Sequence, residues 1–137
     1  ILKGILHPQD ALQAQRLGLA GVVVSNHGGR ALEGSPASLA VLPQVRAAVG
    51  DDFMLLLDGG IRRGSDVFKA LALGAQAVFL GRPQAYGLGA AGAVGVAQML
   101  RLLREELELT MALAGCVTLA EITSASLVNP NELSLCY

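Results

Sequence analysis

Four groups of residues able to do chemistry recur along the sequence, each at the end of a short apolar run: Lys3; Ser25-Asn26-His27-Gly28-Gly29-Arg30; Asp58-Gly59-Gly60-Ile61-Arg62; and Gly81-Arg82-Pro83. Every group holds at least one ionisable side chain. Glycines at 28, 29, 59, 60 and 81 remove side chains where backbone amides could come close to a bound group. Cations beside bare amides point to an anionic ligand. Arg62 and Arg82 suit a phosphate, because a guanidinium presents paired donors to its oxygens. The plainer readings are a lysine reaching into solvent, a serine in a turn, and Asp58-Gly59-Gly60 as a tight turn. Arg63 reads as a solvated charge and His7 as a loop residue with no chemistry.

The runs carrying these groups, residues 1–4, 21–25, 53–58 and 77–81, are apolar almost without interruption, as in Val22-Val23-Val24 and Leu55-Leu56-Leu57. Strands covered on both faces need that pattern, so a parallel sheet is predicted. Helices alternate with the strands. Residues 10–17 follow Pro8, and Ser38 caps a helix with Leu39, Leu42 and Val45 on one face, Pro43 being tolerable in its early turns. Ser65-Asp66 opens a third helix that buries Val67 and Leu71 and ends at Gly74. A longer helix covers roughly residues 92–113. There Val96, Leu100, Leu103 and Leu107 form one stripe, and Arg101, Arg104, Glu105 and Glu108 the wet side. Residues 118–127 read as a short helix and 129–137 as a mobile tail.

Four β-α units are half of a (β/α)8 barrel, which takes about 250 residues. A Rossmann-like sheet is the competing architecture, but its GxGxxG is missing and polar residues crowd the carboxyl end of every strand. In a barrel those ends form one ring around the site of chemistry. The sequence opens on an apolar segment with no Met, which reads as a cut chain.

The hydrophobic share of 53% and the net charge of −1 predict a globular, soluble protein without the field that draws a chain onto nucleic acid or anionic membrane. No apolar run has the length of a bilayer span, and no signal peptide is visible. Cys116 and Cys136 offer neither a metal spacing nor a disulfide framework, so no metal is expected and a reducing compartment is.

The segments ILKGIL, VVVSNHGGR, LDGGIRRGSDVFKALALGA and AVFLGRP, in this order and spacing, resemble the second half of the FMN-dependent 2-hydroxy-acid dehydrogenase family, which includes glycolate oxidase, lactate oxidase and mandelate dehydrogenase. The resemblance covers nearly the whole chain, and four motifs in register are far more specific than SNHGGR alone. It implies an α/β fold, the C-terminal half of a TIM (β/α)8 barrel over residues 1–137, with FMN as cofactor. Position by position, it implies that Lys3 lies at the flavin's N1/C2 carbonyl side and that Ser25 hydrogen-bonds the flavin. His27 becomes the active-site base, a role that suits a side chain titrating near neutrality. Arg30, with His27, contacts the substrate, its planar fork holding the carboxylate. Asp58 accepts the ribityl hydroxyls; Gly59, Gly60, Ile61 and Arg62 continue toward the phosphate, and Gly81 and Arg82 complete its cradle.

The same resemblance implies oxidation of a small L-2-hydroxy acid to the 2-oxo acid, O2 as the first choice of electron acceptor, a homotetramer at full length, and an intracellular place, cytoplasmic or peroxisomal. The end Ser134-Leu135-Cys136-Tyr137 lacks a Ser-Lys-Leu type address. The family's tyrosines, a second arginine and the aspartate that orients the histidine belong to the first half, so the chain alone is expected to be weakly active or inactive. Two rivals stay open: another FMN- or phosphate-binding barrel, a reductase or isomerase, against which His27 followed by Arg30 argues; and a non-catalytic half-barrel that binds without turnover.

Overall fold

In the computed structural model, which describes residues 1–128, strands β1 (Leu2–Ile5), β2 (Gly21–Ser25), β3 (Met54–Asp58) and β4 (Ala77–Phe79) form one parallel sheet in that order. The expected tail, 129–137, lies outside the described residues, as does Cys136. The two uninterrupted apolar runs become the central strands because only there are both faces covered: every residue of β2 is buried, and Leu55 and Leu57 of β3 are fully so. Register pairs Val22 with Leu55, Val24 with Leu57 and Ser25 with Asp58, then Asp58 with Phe79. The carboxyl ends of the strands therefore align. β4 stops at Phe79, two residues before the predicted end, since Leu80 and Gly81 turn the chain into the next helix.

Helices α1 (Pro8–Arg16), α2 (Ser38–Val49) and α3 (Gly64–Ala72) pack on the sheet, closing a core of Ile5, Val22, Val24, Leu42, Val45, Leu55, Leu57 and Val67. His7 caps α1, its Nδ1 accepting from Gln9 N at 3.2 Å. Ser38 does not cap α2 as predicted. Ala37 stands at the cap, and the buried Ser38 hydroxyl accepts instead from Asn26 N at 3.1 Å, tying the helix start to the loop after β2. Helix α3 likewise begins one residue before Ser65. The Asp66 carboxylate reaches back to the Arg62 and Arg63 amides, both at 3.0 Å, and Glu106 from far along the chain accepts from Gly64 N at 2.8 Å.

Helix α4 (Arg82–Ala114) starts ten residues earlier than the predicted 92 and is broken at Ala91 and Gly92, where Gly92 has φ +58°. The chain folds back there, and Gly87 and Gly95 approach so closely that a Cβ on Gly95 would collide with Gly87 O. Leu103 and Leu107 lie against the sheet core, whereas Leu100 of the predicted stripe is exposed, with Leu102, Leu109 and Leu113. The predicted wet side carries the Arg104–Glu108 pair at 2.7 Å and Arg101–Glu105 at 3.5 Å. Contrary to expectation, α4 is long and apolar enough to cross a bilayer by composition, with mean hydropathy 1.2 over an 18-residue window. The break at Ala91–Gly92 divides it, and its second arm packs on α3 at Gly64.

Residues 118–127 form two 3-10 turns, Leu119–Glu121 and Ser124–Ser126, where one short helix is predicted. The Glu121 carboxylate accepts from Val117 N at 2.9 Å and from Thr118 Oγ1 at 3.0 Å, local bonds that compete with a continuing helix. Below them Phe68, Ala72, Cys116 and Ile122 make a second small core.

Candidate active site

Because Ser25 and Asp58 are partners across β2 and β3, the two polar side chains at those strand ends meet. The Ser25 hydroxyl donates to Asp58 Oδ2 at 2.6 Å. It accepts from Lys3 Nζ at 3.2 Å and from the His27 amide at 3.1 Å. One donation and two acceptances exhaust a hydroxyl's capacity, which is why Ser25 can be fully buried. Lys3 Nζ also lies 2.8 Å from Asp58 Oδ2, so its ammonium turns inward to an ion pair. Burial pushes the Asp58 carboxyl up, but the bonds from Lys3 and Ser25, with the attraction of Lys3 and His27, together outweigh it and hold Asp58 below the ordinary carboxylate value.

Beyond β2 the chain makes a tight 3-10 turn, His27–Gly29. His27 is the one described non-glycine residue with left-handed backbone, φ +55°, a conformation disfavoured for a side-chain-bearing residue. Asn26 holds the turn from both sides: its Oδ1 accepts from Gly29 N at 3.2 Å and its Nδ2 donates to Pro36 O at 3.2 Å. Asn26 and Ser38 are structural partners, a pairing that the sequence does not reveal. An Asn three residues before the end of a Gly-Gly turn is the signal that could have found the first.

One cavity of about 350 Å³ is lined by Lys3, His27, Arg30, Asp58, Gly59, Gly60, Ile61, Arg62, Gly81 and Arg82. Of the residues named at the strand ends, all but Ser25, Asn26 and Gly29 border this one space; Ser25 lies behind Lys3 and Asp58 and supports both. Phe79, at the end of β4, adds an apolar wall that the sequence reading misses. Arg82 reaches across the mouth, Nη2 donating to Gly28 O at 3.1 Å, and so links β4 to the His27 turn.

The two helix N-termini near the cavity differ. At α3, Asp66 and Glu106 already take the Arg62, Arg63 and Gly64 amides, so Arg62 has its side chain and not its amide to offer a ligand. At α4 the cap is Gly81, with no side-chain bond to the first turn and Pro83 in that turn. A helix N-terminus left open beside Arg62 and Arg82 favours an anion. A Cβ on Gly60 or Gly81 would meet no atom within 4 Å, so the wall is bare where a ligand could lie close to the backbone.

A family model described as FMN-dependent dehydrogenase matches residues 1–129. The chain belongs to that family. An L-lactate oxidase from Alicycliphilus denitrificans is 60% identical over 126 residues, 92% of this chain and 34% of that protein. A peroxisomal (S)-2-hydroxyacid oxidase from Arabidopsis thaliana is 53% identical over 132 residues, 96% of this chain and 36% of that one. A solved mandelate oxidase carrying 3,3-difluoro-2-hydroxy-3-phenylpropionic acid superposes with a TM-score of 0.86 at 50% identity, covering 90% of this chain and 37% of that one. The chain therefore spans about a third of the length of the relatives it matches, and its four β-α units are part of the family's TIM barrel.

The wall of this FMN-dependent dehydrogenase cavity suits the family's cofactor. Two guanidiniums and an open helix N-terminus meet the needs of a phosphate, and an ionised carboxylate those of polyol hydroxyls. Lys3 supplies a cation beside that carboxylate.

Proposed function

We propose that this chain carries the base and most of the flavin seat of an enzyme that oxidises a small L-2-hydroxy acid to its 2-oxo acid. The observation that carries this reading is that His27 and Arg30 border the same cavity as the Lys3–Asp58 pair. Arg30 binds the substrate carboxylate, and fixing that end orients the α-carbon relative to the His27 ring. His27 takes up a substrate proton on a ring nitrogen as the hydroxyl-bearing carbon is oxidised. FMN, when bound, supplies the two-electron acceptor that O2 returns to its oxidised state. Arg62, Arg82 and the start of α4 hold its phosphate, with Gly59, Gly60, Ile61 and Gly81 forming the bare wall. Asp58 would accept from its hydroxyls and Lys3 would stand by its ring system, where an ammonium favours negative charge; Ser25, buried with its hydroxyl fully engaged, would hold Lys3 and Asp58 in place and not bond the flavin as the resemblance implies.

A reductase or isomerase that shared the phosphate end would have no use for a carboxylate-binding Arg30 beside His27. The names of the relatives, lactate oxidase and (S)-2-hydroxyacid oxidase, support both the substrate class and O2 as acceptor. At the relatives' full length we propose a homo-oligomer in an intracellular compartment, cytoplasm or peroxisome. The test uses that full-length protein: glycolate, L-lactate and L-mandelate are offered in air, and the 2-oxo acid and H2O2 are assayed. Equimolar formation of both from at least one acid is expected. Bound FMN with no product from any acid contradicts the reading.

A further inference from the structure

We infer that Gly4 is a positioning residue for His27, keeping open the volume in which the imidazole stands. The inference rests on the proposed role of His27. Two observations meet at this glycine. The first is the strand itself: Lys3 pairs with Val23 and Ile5 with Val24, so Gly4 is an extra residue on β1, a bulge, with φ +100°. In a regular strand Lys3 and Ile5 would point to the same face. The bulge sends them to opposite faces, Ile5 into the helix-covered core and Lys3 to the cavity.

The second observation is the space above the bulge. A Cβ on Gly4 would stand 2.7 Å from His27 Cε1 and 3.6 Å from both Nδ1 and Nε2. Carbon atoms rest about 3.5–4.0 Å apart, so even a methyl group would drive the ring back by roughly 1 Å along the Cβ–Cε1 direction, the axis that passes midway between its two nitrogens. Both nitrogens would move together. The backbone of His27 has little freedom to follow, since its amide is tied to Ser25 Oγ and its φ is already +55°.

Gly4→Ala in the full-length holoenzyme is the test, with Gly18→Ala as a control. Gly18 has a similar left-handed backbone, φ +76°, but nothing within 4 Å of its Cβ position. It therefore carries a positive-φ backbone penalty without the collision. The expected result is a fall of about 100-fold in the anaerobic rate of flavin reduction for Gly4→Ala, the size a displacement of about 1 Å produces, with FMN still bound. Gly18→Ala should reduce at the parent rate. Reduction by Gly4→Ala at the parent rate overturns the inference while leaving the proposed activity intact.

Stability gives a second reading that needs no turnover. Adding His27→Ala removes the ring and should restore most of the urea midpoint lost in Gly4→Ala, an effect that equal losses in both backgrounds would rule out. If Gly4→Ala does not fold, recovery in the Gly4→Ala/His27→Ala double variant supports the contact, and failure of that variant as well overturns it. Bleaching that persists in His27→Ala alone would strike at the proposed activity, not at the contact.

Discussion

The charge on Asp58 is kept by its neighbours. Burial opposes ionisation, and the Lys3 ammonium, the Ser25 hydroxyl and His27 together reverse that effect, so its folded-state pKa lies below the unfolded one. The sign of the linkage follows: the network stabilises the fold at pH values above the unfolded carboxyl's value of about 3.9, and that stability is lost as pH falls through the folded value. Urea unfolding as a function of pH should therefore show the parent losing its advantage over Asp58→Asn on acidification below about pH 4. A difference that stays constant down to the lowest accessible pH would contradict it. At this scale the sequence was legible where residue type stands out at a strand end: His27, Arg30, Arg62 and Arg82 all border the one cavity. It was not legible where importance lies in contact. Nothing in the local sequence says that Ser38 serves Asn26 and not its own helix, or that Gly4 faces an imidazole.

Among the elements, the end of the sheet opposite the cavity is held by Arg46, in the last turn of α2. Its guanidinium donates to Gly74 O through Nε at 3.1 Å and Nη2 at 2.7 Å. Its Nη1 donates to Phe53 O at 3.0 Å and also to Gly50 O. The end of α2, the approach to β3 and the turn before β4 are joined by one side chain. Burial lowers the Arg46 pKa and Asp51 raises it in partial compensation, but a guanidinium stays charged throughout the physiological range. Arg46→Met should lower unfolding stability by about 1.5–3 kcal/mol, the range for hydrogen bonds to a charged donor, and leave the rate of flavin reduction unchanged. Denaturant melts and single-turnover kinetics check the two halves of that statement. Strand positions were legible because doubly covered strands have an unmistakable composition. Helix starts were less so: Asp66 caps backwards and Glu106 caps α3 from α4, and the Gly/Ala-rich start of α4 has no apolar period to read.

For the whole molecule, the decisive feature is an open sheet. Among the described residues, β1 and β4 each have one strand neighbour, and α4 has no fully buried residue while Leu88, Val94, Leu102, Leu109 and Leu113 are exposed. Unpaired strand edges and exposed apolar faces drive association. Residues 1–137 expressed alone should run well above 14.1 kDa in size-exclusion chromatography with light scattering; a stable monodisperse monomer would contradict that. The barrel architecture could be read from the sequence because the chemistry recurs at every strand end. Substrate choice could not, since the roles proposed for Arg30 and His27 would address only the acid and the reacting carbon common to all 2-hydroxy acids. The role of His27 is tested anaerobically: the full-length holoenzyme and its His27→Ala variant are mixed with L-lactate, glycolate or L-mandelate, and the flavin absorption band is followed. Bleaching of the parent by at least one acid, with a variant that binds FMN but is not reduced, is the predicted result. Equal bleaching of the variant, or a parent that holds no flavin, would contradict it.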